Sequence, residues 1–178
     1  LCTFSDKIEF TSQQKSTSTH LNKIFIQLQH LADTERTEAR TSVARVLHEV
    51  AELNPRRSLI IIFSDMFDSQ NTEEVFKGLQ HLKHNHHEVL VFHITDKKTE
   101  FEFNFDNRPY EFIDLESGER MKLNPSEVKT AYQEQVDQFY QELRIKCGQL
   151  KIDFIPMDIE NDFSDVLYEY LVKRSKMR

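Results

Sequence analysis

Apolar residues recur along this chain in two rhythms, and the changes between them mark out a string of short elements. Leu1-Cys2-Thr3-Phe4 and Lys7-Ile8-Glu9-Phe10 alternate on either side of Ser5-Asp6, the pattern of a β-hairpin with a polar turn. Leu21, Ile24, Phe25, Leu28 and Leu31 then follow helical spacing, with N-cap oxygens on offer from Ser16 to Thr19, so a helix is expected to lie on one sheet face. After a polar connection over 33–40, Val43, Val46, Leu47, Val50 and Ala51 mark a second amphipathic helix. It begins at Thr41 or Ser42 and is stopped by Asn54-Pro55.

The next run, Leu59-Ile60-Ile61-Ile62-Phe63, does not alternate, which predicts a central strand buried on both faces of a parallel sheet. A loop over 68–71, a helix over 72–83 with Val75, Phe76, Leu79 and Leu82 inward, and a buried strand over 89–94 continue a βαβ unit. Over 99–123 the rhythm becomes alternation, through Phe101, Phe103, Phe105, Tyr110, Phe112 and Leu115, with a turn at Glu116-Ser117-Gly118-Glu119. This predicts an antiparallel β insertion. Asn124-Pro125-Ser126-Glu127 starts a helix that runs to Cys147 and stops at Gly148; a strand over 152–157 and a helix through Phe163, Val166, Leu167, Tyr170 and Leu171 close the chain. The whole predicts one α/β domain over 1–178, a three-layer Rossmann-like sandwich whose sheet is mostly parallel, with an antiparallel hairpin at one edge.

Composition narrows the function. With 178 residues and 38% hydrophobic content the chain can build one well-buried core and is short for two. A net charge of -7 argues against a nucleic-acid groove, which needs a basic surface to displace counterions from phosphates. Cys2 and Cys147 form no CxxC pair, which favours a reducing, cytoplasmic compartment, and no window approaches the ~18 apolar residues of a membrane span. The chain opens without Met in a strand-like run, the look of a cut inside a longer protein.

Candidate chemistry gathers where strands end. In open α/β sheets ligands sit at the carboxyl ends of the strands, which singles out Ser64, Asp65 and Asp68. Asp65 and Asp68 could serve as the carboxylates of an Mg²⁺-dependent hydrolase or phosphotransferase, resembling the haloacid dehalogenase type. His81-x-x-His84-x-His86-His87 has spacing that could hold a transition metal, against the plainer reading of imidazoles placed near the free carbonyls of a helix end. Three glycines, at 78, 118 and 148, cannot make a phosphate-binding loop, and Ser64 lacks the flanking glycines of a nucleophile elbow.

Cys2 to Phe10, Arg40-Thr41-Ser42-Val43 and Leu59 to Asp65 together resemble the second part of a von Willebrand factor A domain. The Arg56-Arg57-Ser58 lead-in, Ser64-Asp65-Met66-Phe67-Asp68 and the Ile113 to Glu119 hairpin look like a bacterial family of unknown function encoded beside MoxR-type AAA+ ATPases. The resemblance implies a non-enzymatic protein–protein interaction module, plausibly an adaptor of such an ATPase, with its partner surface at Ser5, Thr41, Asp65 and Asp68. It also implies a partial metal-ion-dependent adhesion site, with Thr41 and Asp65 as ligands, no firmly bound cofactor, and Mg²⁺ only in a full-length protein. The Asp-x-Ser-x-Ser loop of that site, and the first strand that carries it, have no counterpart here. The Leu1 strand is therefore expected either to pair directly with the Leu59 strand or to leave a gap that another molecule fills, a homo-oligomer being one outcome.

Overall fold

The computed structural model describes every residue except 6, 35–41, 55–56, 67–71, 114–117 and 177–178. In chain order the elements are β1 (Cys2–Phe4), β2 (Ile8–Thr11), α1 (Ser18–Asp33), α2 (Val43–Leu53), β3 (Leu59–Ser64), α3 (Thr72–His84), β4 (Glu88–Thr95), a π-helical turn (Lys97–Phe101), β5 (Tyr110–Ile113), β6 (Arg120–Leu123), α4 (Pro125–Gln149), β7 (Asp153–Asp158) and α5 (Phe163–Ser175). Among the described residues β3, β4 and β7 form a parallel sheet in that order, while β1-β2 and β5-β6 are separate antiparallel hairpins. The fold is mixed α/β, as expected.

The sheet is organised around β4, whose Val89, Leu90, Val91 and Phe92 are all buried. Strand residues alternate in direction, so Ile62, Val89 and Val91 share one face, and there they join a core with Val43, Leu47 and Ala51 of α2, Leu79 and Leu82 of α3, and Leu143 and Cys147 of α4. Burial pushes the Cys147 thiol up to about 12, which keeps it protonated and unreactive at neutral pH. The opposite face meets α5, where Tyr170 stands edge-on to Phe92 with ring centroids 6.3 Å apart. Arg174 and Lys173 of α5 pair with Glu88 and Asp153.

Several expectations are corrected. β3 is not a central strand: among the described residues it pairs only with β4, and Leu59, Ile61 and Phe63 are 46%, 47% and 60% exposed. An unbroken apolar run reports that neither face prefers water; it does not report that both faces have partners. The hairpin is likewise not at an edge of that sheet. Neither β1 nor β2 is bonded to β3, and the hairpin is tied to the body by the Ser42 N–H, which donates to the Ser5 carbonyl at 3.2 Å. Direct pairing of the Leu1 and Leu59 strands therefore does not occur. Helix α1 begins as expected, with the Thr17 hydroxyl accepting from the His20 N–H, yet it has no buried residue and exposes Leu21, Phe25, Ile26 and Leu28.

Phe101 to Phe105 do not form a strand. The Asp96 carboxylate accepts from the Lys98 and Thr99 N–H groups and starts the π-helical turn, after which Phe103 takes a left-handed backbone with φ 45°. The rings still meet one another: Phe103 lies 4.5 Å from Tyr132 of α4 and 4.9 Å from Phe105, centroid to centroid. Aromatic cohesion satisfies the same spacing without a ladder. The β5-β6 hairpin does form, with Tyr110 opposite Leu123 and Phe112 opposite Met121. Gly148 is not the helix stop either, since α4 runs on to Gln149 and Lys151, at φ 54°, makes the left-handed exit. Among the described residues no helix is long and apolar enough to cross a membrane.

Candidate functional site

The ends of β3 and β4 build a recess from residues close in space but spread over 75 positions of sequence, between Asp65 and Tyr140. At the end of β3 the Ser64 hydroxyl accepts from the Met66 N–H at 2.9 Å, and Met66 adopts φ 55° with its side chain buried. This tight turn leaves Asp65 exposed at its crest. At the end of β4 the Asp96-capped π-helical turn brings Glu100 back toward the strand ends. A single wide turn of this kind recurs at functional sites because it displaces one side chain from the regular helical path.

His93, Thr95, Phe101, Tyr132, Phe139 and Tyr140 complete a cavity of about 310 Å³ with Asp65 and Glu100. His93 is 3% exposed, and among the described residues neither of its ring nitrogens has a partner at full hydrogen-bonding geometry, although the Asp65 backbone acts on the ring as a looser acceptor. Burial lowers its pKa, opposed by the backbone and the carboxylate of nearby Asp65, so the ring is held toward its neutral form. Glu100 moves the other way. Burial raises its pKa, the Asp96 backbone offsets part of this, and the charges of Asp65 and Asp96 add to the rise. The Tyr132 hydroxyl is also raised, by burial first and then by the charge of Glu100.

The Glu100 shift has a stability consequence. Because its pKa in the folded chain lies above the usual 4.5, ionised Glu100 disfavours the fold above that folded value, and the penalty vanishes below 4.5, where both states are protonated. Glu100→Gln is therefore expected to raise the melting temperature at neutral pH. The gain should shrink as pH falls and be absent near pH ~4. Thermal melts of both proteins at the two pH values check this.

A second, larger cleft of about 690 Å³ lies between the hairpin and the open side of β3. Leu1 and Phe4 line it from the hairpin, Leu28 and Leu31 from α1, Val46 and Val50 from α2, and Ile60, Ile61 and Phe63 from β3; Asp65, Asp96 and Glu100 close its end. It is an apolar trough with an acidic stop.

Of the residues singled out in the sequence, Thr41 and Asp68 lie outside the described residues, and nothing is said of their positions. Ser5 is held beside Ser42 by the bond given above, and Asp65 belongs to both recesses. Asp96 is committed to backbone N–H groups, Glu100 is half-buried and raised, and among the described residues no three metal-ligating side chains come together.

The histidines disperse. His87 is buried and its Nδ1 accepts from the Ser58 N–H at 3.2 Å, His84 and His86 are exposed, and His81 pairs with His48 of α2, Nδ1 to Nδ1 at 3.0 Å. Sequence reasoning missed His93, Glu100 and Tyr132. The rule that ligands gather at strand ends could have found Thr95 and Asp96 at the end of β4, but the return of Glu100 depends on a turn that reads as a strand.

Compared with known families, residues 1–142 match the model described as protein of unknown function DUF58. The chain belongs to the DUF58 family. The match spans β1 through most of α4, and so includes the whole lining of the smaller cavity and all of the larger cleft except Ile159. Searches of curated proteins and of solved structures returned no match.

Proposed function

We propose that this DUF58 chain is a non-enzymatic protein–protein interaction module that receives an extended segment of a partner in the trough between β1 and β3. The observation that carries the reading is the bare apolar edge and face of β3, with Leu59, Ile61 and Phe63 exposed beside a cleft walled on its far side by the hairpin. An added strand gains main-chain hydrogen bonds from the open edge and buries side chains against β3 on one side and α1 on the other. Free edges of this kind are otherwise blunted by charges or covered by a neighbouring strand, and among the described residues neither device protects β3. In this reading the resembled von Willebrand factor A-like, Rossmann-like arrangement supplies the scaffold, and a MoxR-type AAA+ ATPase is the first partner to examine. Asp65 stands at the acidic end of the trough as the polar anchor, no firmly bound cofactor takes part, and a second copy of the chain is the competing occupant.

The test measures binding of the purified chain to a MoxR-type ATPase by surface plasmon resonance, alongside sedimentation of the chain alone. Leu59→Lys and Ile61→Lys are expected to weaken the complex at least about tenfold, the cost of placing a charge in an apolar contact, and Asp65→Ala to weaken it less. Unchanged affinity in both lysine variants removes β3 from the interface. Concentration-dependent dimers that those variants abolish would assign the trough to a second copy instead.

A further inference from the structure

The cavity under α4 has a chemistry that the interaction reading does not use. Its charged groups are the carboxylates of Asp65 and Glu100; its neutral polar groups are the imidazole of His93, the amide of Gln135 and the hydroxyls of Thr95, Tyr132 and Tyr140; and the rings of Phe101, Tyr132 and Tyr140 supply apolar wall. Among the described residues no lysine or arginine lines it. An anion would meet two carboxylates at close range, whereas a cation would be drawn to them and to the negative faces of the rings.

His93 decides between kinds of cation. It is buried and lines this cavity, and with the Asp65 backbone acting as a loose acceptor toward its N–H, its lone-pair nitrogen has no hydrogen-bond donor among the described residues. A buried imidazole in its neutral form has one lone pair to offer, and an N–H donor delivered by a ligand would satisfy it. A quaternary ammonium has no such donor. A magnesium ion would need an oxygen cage that these residues do not form. The volume of about 310 Å³ is at the small end of ligand pockets and suits one short side chain or small molecule.

We propose that this cavity binds a protonated primary amine on a short alkyl chain, with its ammonium placed between Glu100, Asp65 and His93 and its methylenes against Phe101, Tyr132 and Tyr140. The same chemistry can arrive as a free alkylamine or as a lysine side chain.

The test titrates the whole chain with n-butylammonium, with N-acetyl-lysine methylamide, with tetramethylammonium and with acetate, following the ¹⁵N resonances of the His93 ring. Saturable shifts are expected with the two primary amines, with tetramethylammonium at least about tenfold weaker and acetate inert. Glu100→Gln, which keeps the fold, should weaken the amines about tenfold or more, the equivalent of one charge-assisted hydrogen bond. Tighter binding of the lysine derivative assigns the ligand to a partner's side chain, and tighter binding of butylammonium assigns it to a free amine. The proposal is overturned if neither amine shifts His93, if Glu100→Gln binds them as well as the parent chain, or if tetramethylammonium binds equally well. Because the readout sits at His93, loss of this site is distinguishable from loss of the β3 interface: Ile61→Lys, which lies outside this cavity, should weaken the partner complex and leave the amine-induced His93 shifts unchanged.

Discussion

Ile62→Lys is expected to unfold the domain, whereas Ile61→Lys, one residue earlier on the same strand, leaves it folded. Ile62 is 7% exposed and faces Val91 and the α2–α3–α4 core, so a lysine there buries an ammonium without a partner and removes a packed side chain. The first effect costs several kcal/mol and the second about 2–5 kcal/mol, which together rival the ~5–15 kcal/mol that holds a domain folded. Ile61 points the other way and is 47% exposed, so its lysine extends into water beside an open edge, a placement that natural sheets use against association. Urea unfolding followed by circular dichroism separates the two outcomes. Equal loss of stability in both variants would mean that β3 is covered on both faces.

Gly78→Ala is expected to destabilise the chain, while Gly148→Ala stabilises it, although both glycines lie within helices. A Cβ at Gly78 would stand 2.7 Å from the Leu47 Cβ and 3.3 Å from the Ala44 carbonyl oxygen, so α2 and α3 approach as closely as they do only because no side chain intervenes. Neither obstacle is the far end of a flexible side chain, so the helices must separate. Overpacking of this kind costs about 1–3 kcal/mol, and the better helix propensity of alanine returns at most about 1 kcal/mol. At Gly148 nothing lies within 4 Å and the backbone is helical, so only the propensity gain of about 0.5–1 kcal/mol remains. At roughly 2–4 °C per kcal/mol for a chain of this size, melting temperatures should move in opposite directions by a few degrees.

The site was read only in part from sequence. Asp65 stood out because it follows an apolar strand, and that inference needs nothing beyond local pattern. His93 did not stand out, since a histidine inside a buried strand looks like any other core position until its neighbours are known. Only the packing of α4 over β4, with Tyr140 at 5.7 Å from the His93 ring, turns it into a wall of a cavity. Glu100 was hidden by a rhythm of phenylalanines that imitates a strand. The His81 to His87 series was conspicuous for the opposite reason: its spacing suggested convergence, but the helix ends at His84 and His86 turns through φ 61°, which sends His87 inward under Ser58.

What this sequence determined by itself is the succession of elements outside the turn over Lys97–Phe101 and the phenylalanines after it, because helical and strand periodicity, caps and breakers act over a few residues and are written locally. The amphipathic face of α2 and the buried run Val89 to His93 of β4 are read this way, and so is the antiparallel pairing of β1 with β2. What only the tertiary structure decided is which apolar surfaces found partners. The apolar spacing of α1 and the run in β3 are as clear as those of α2 and β4, yet in α1 and β3 much of that surface faces water or the trough, because burial depends on what stands opposite and no local pattern encodes that. The same dependence places His93, Glu100 and Asp65 around one cavity, where the charge of Asp65 acts on the other two across a distance in sequence that conceals it.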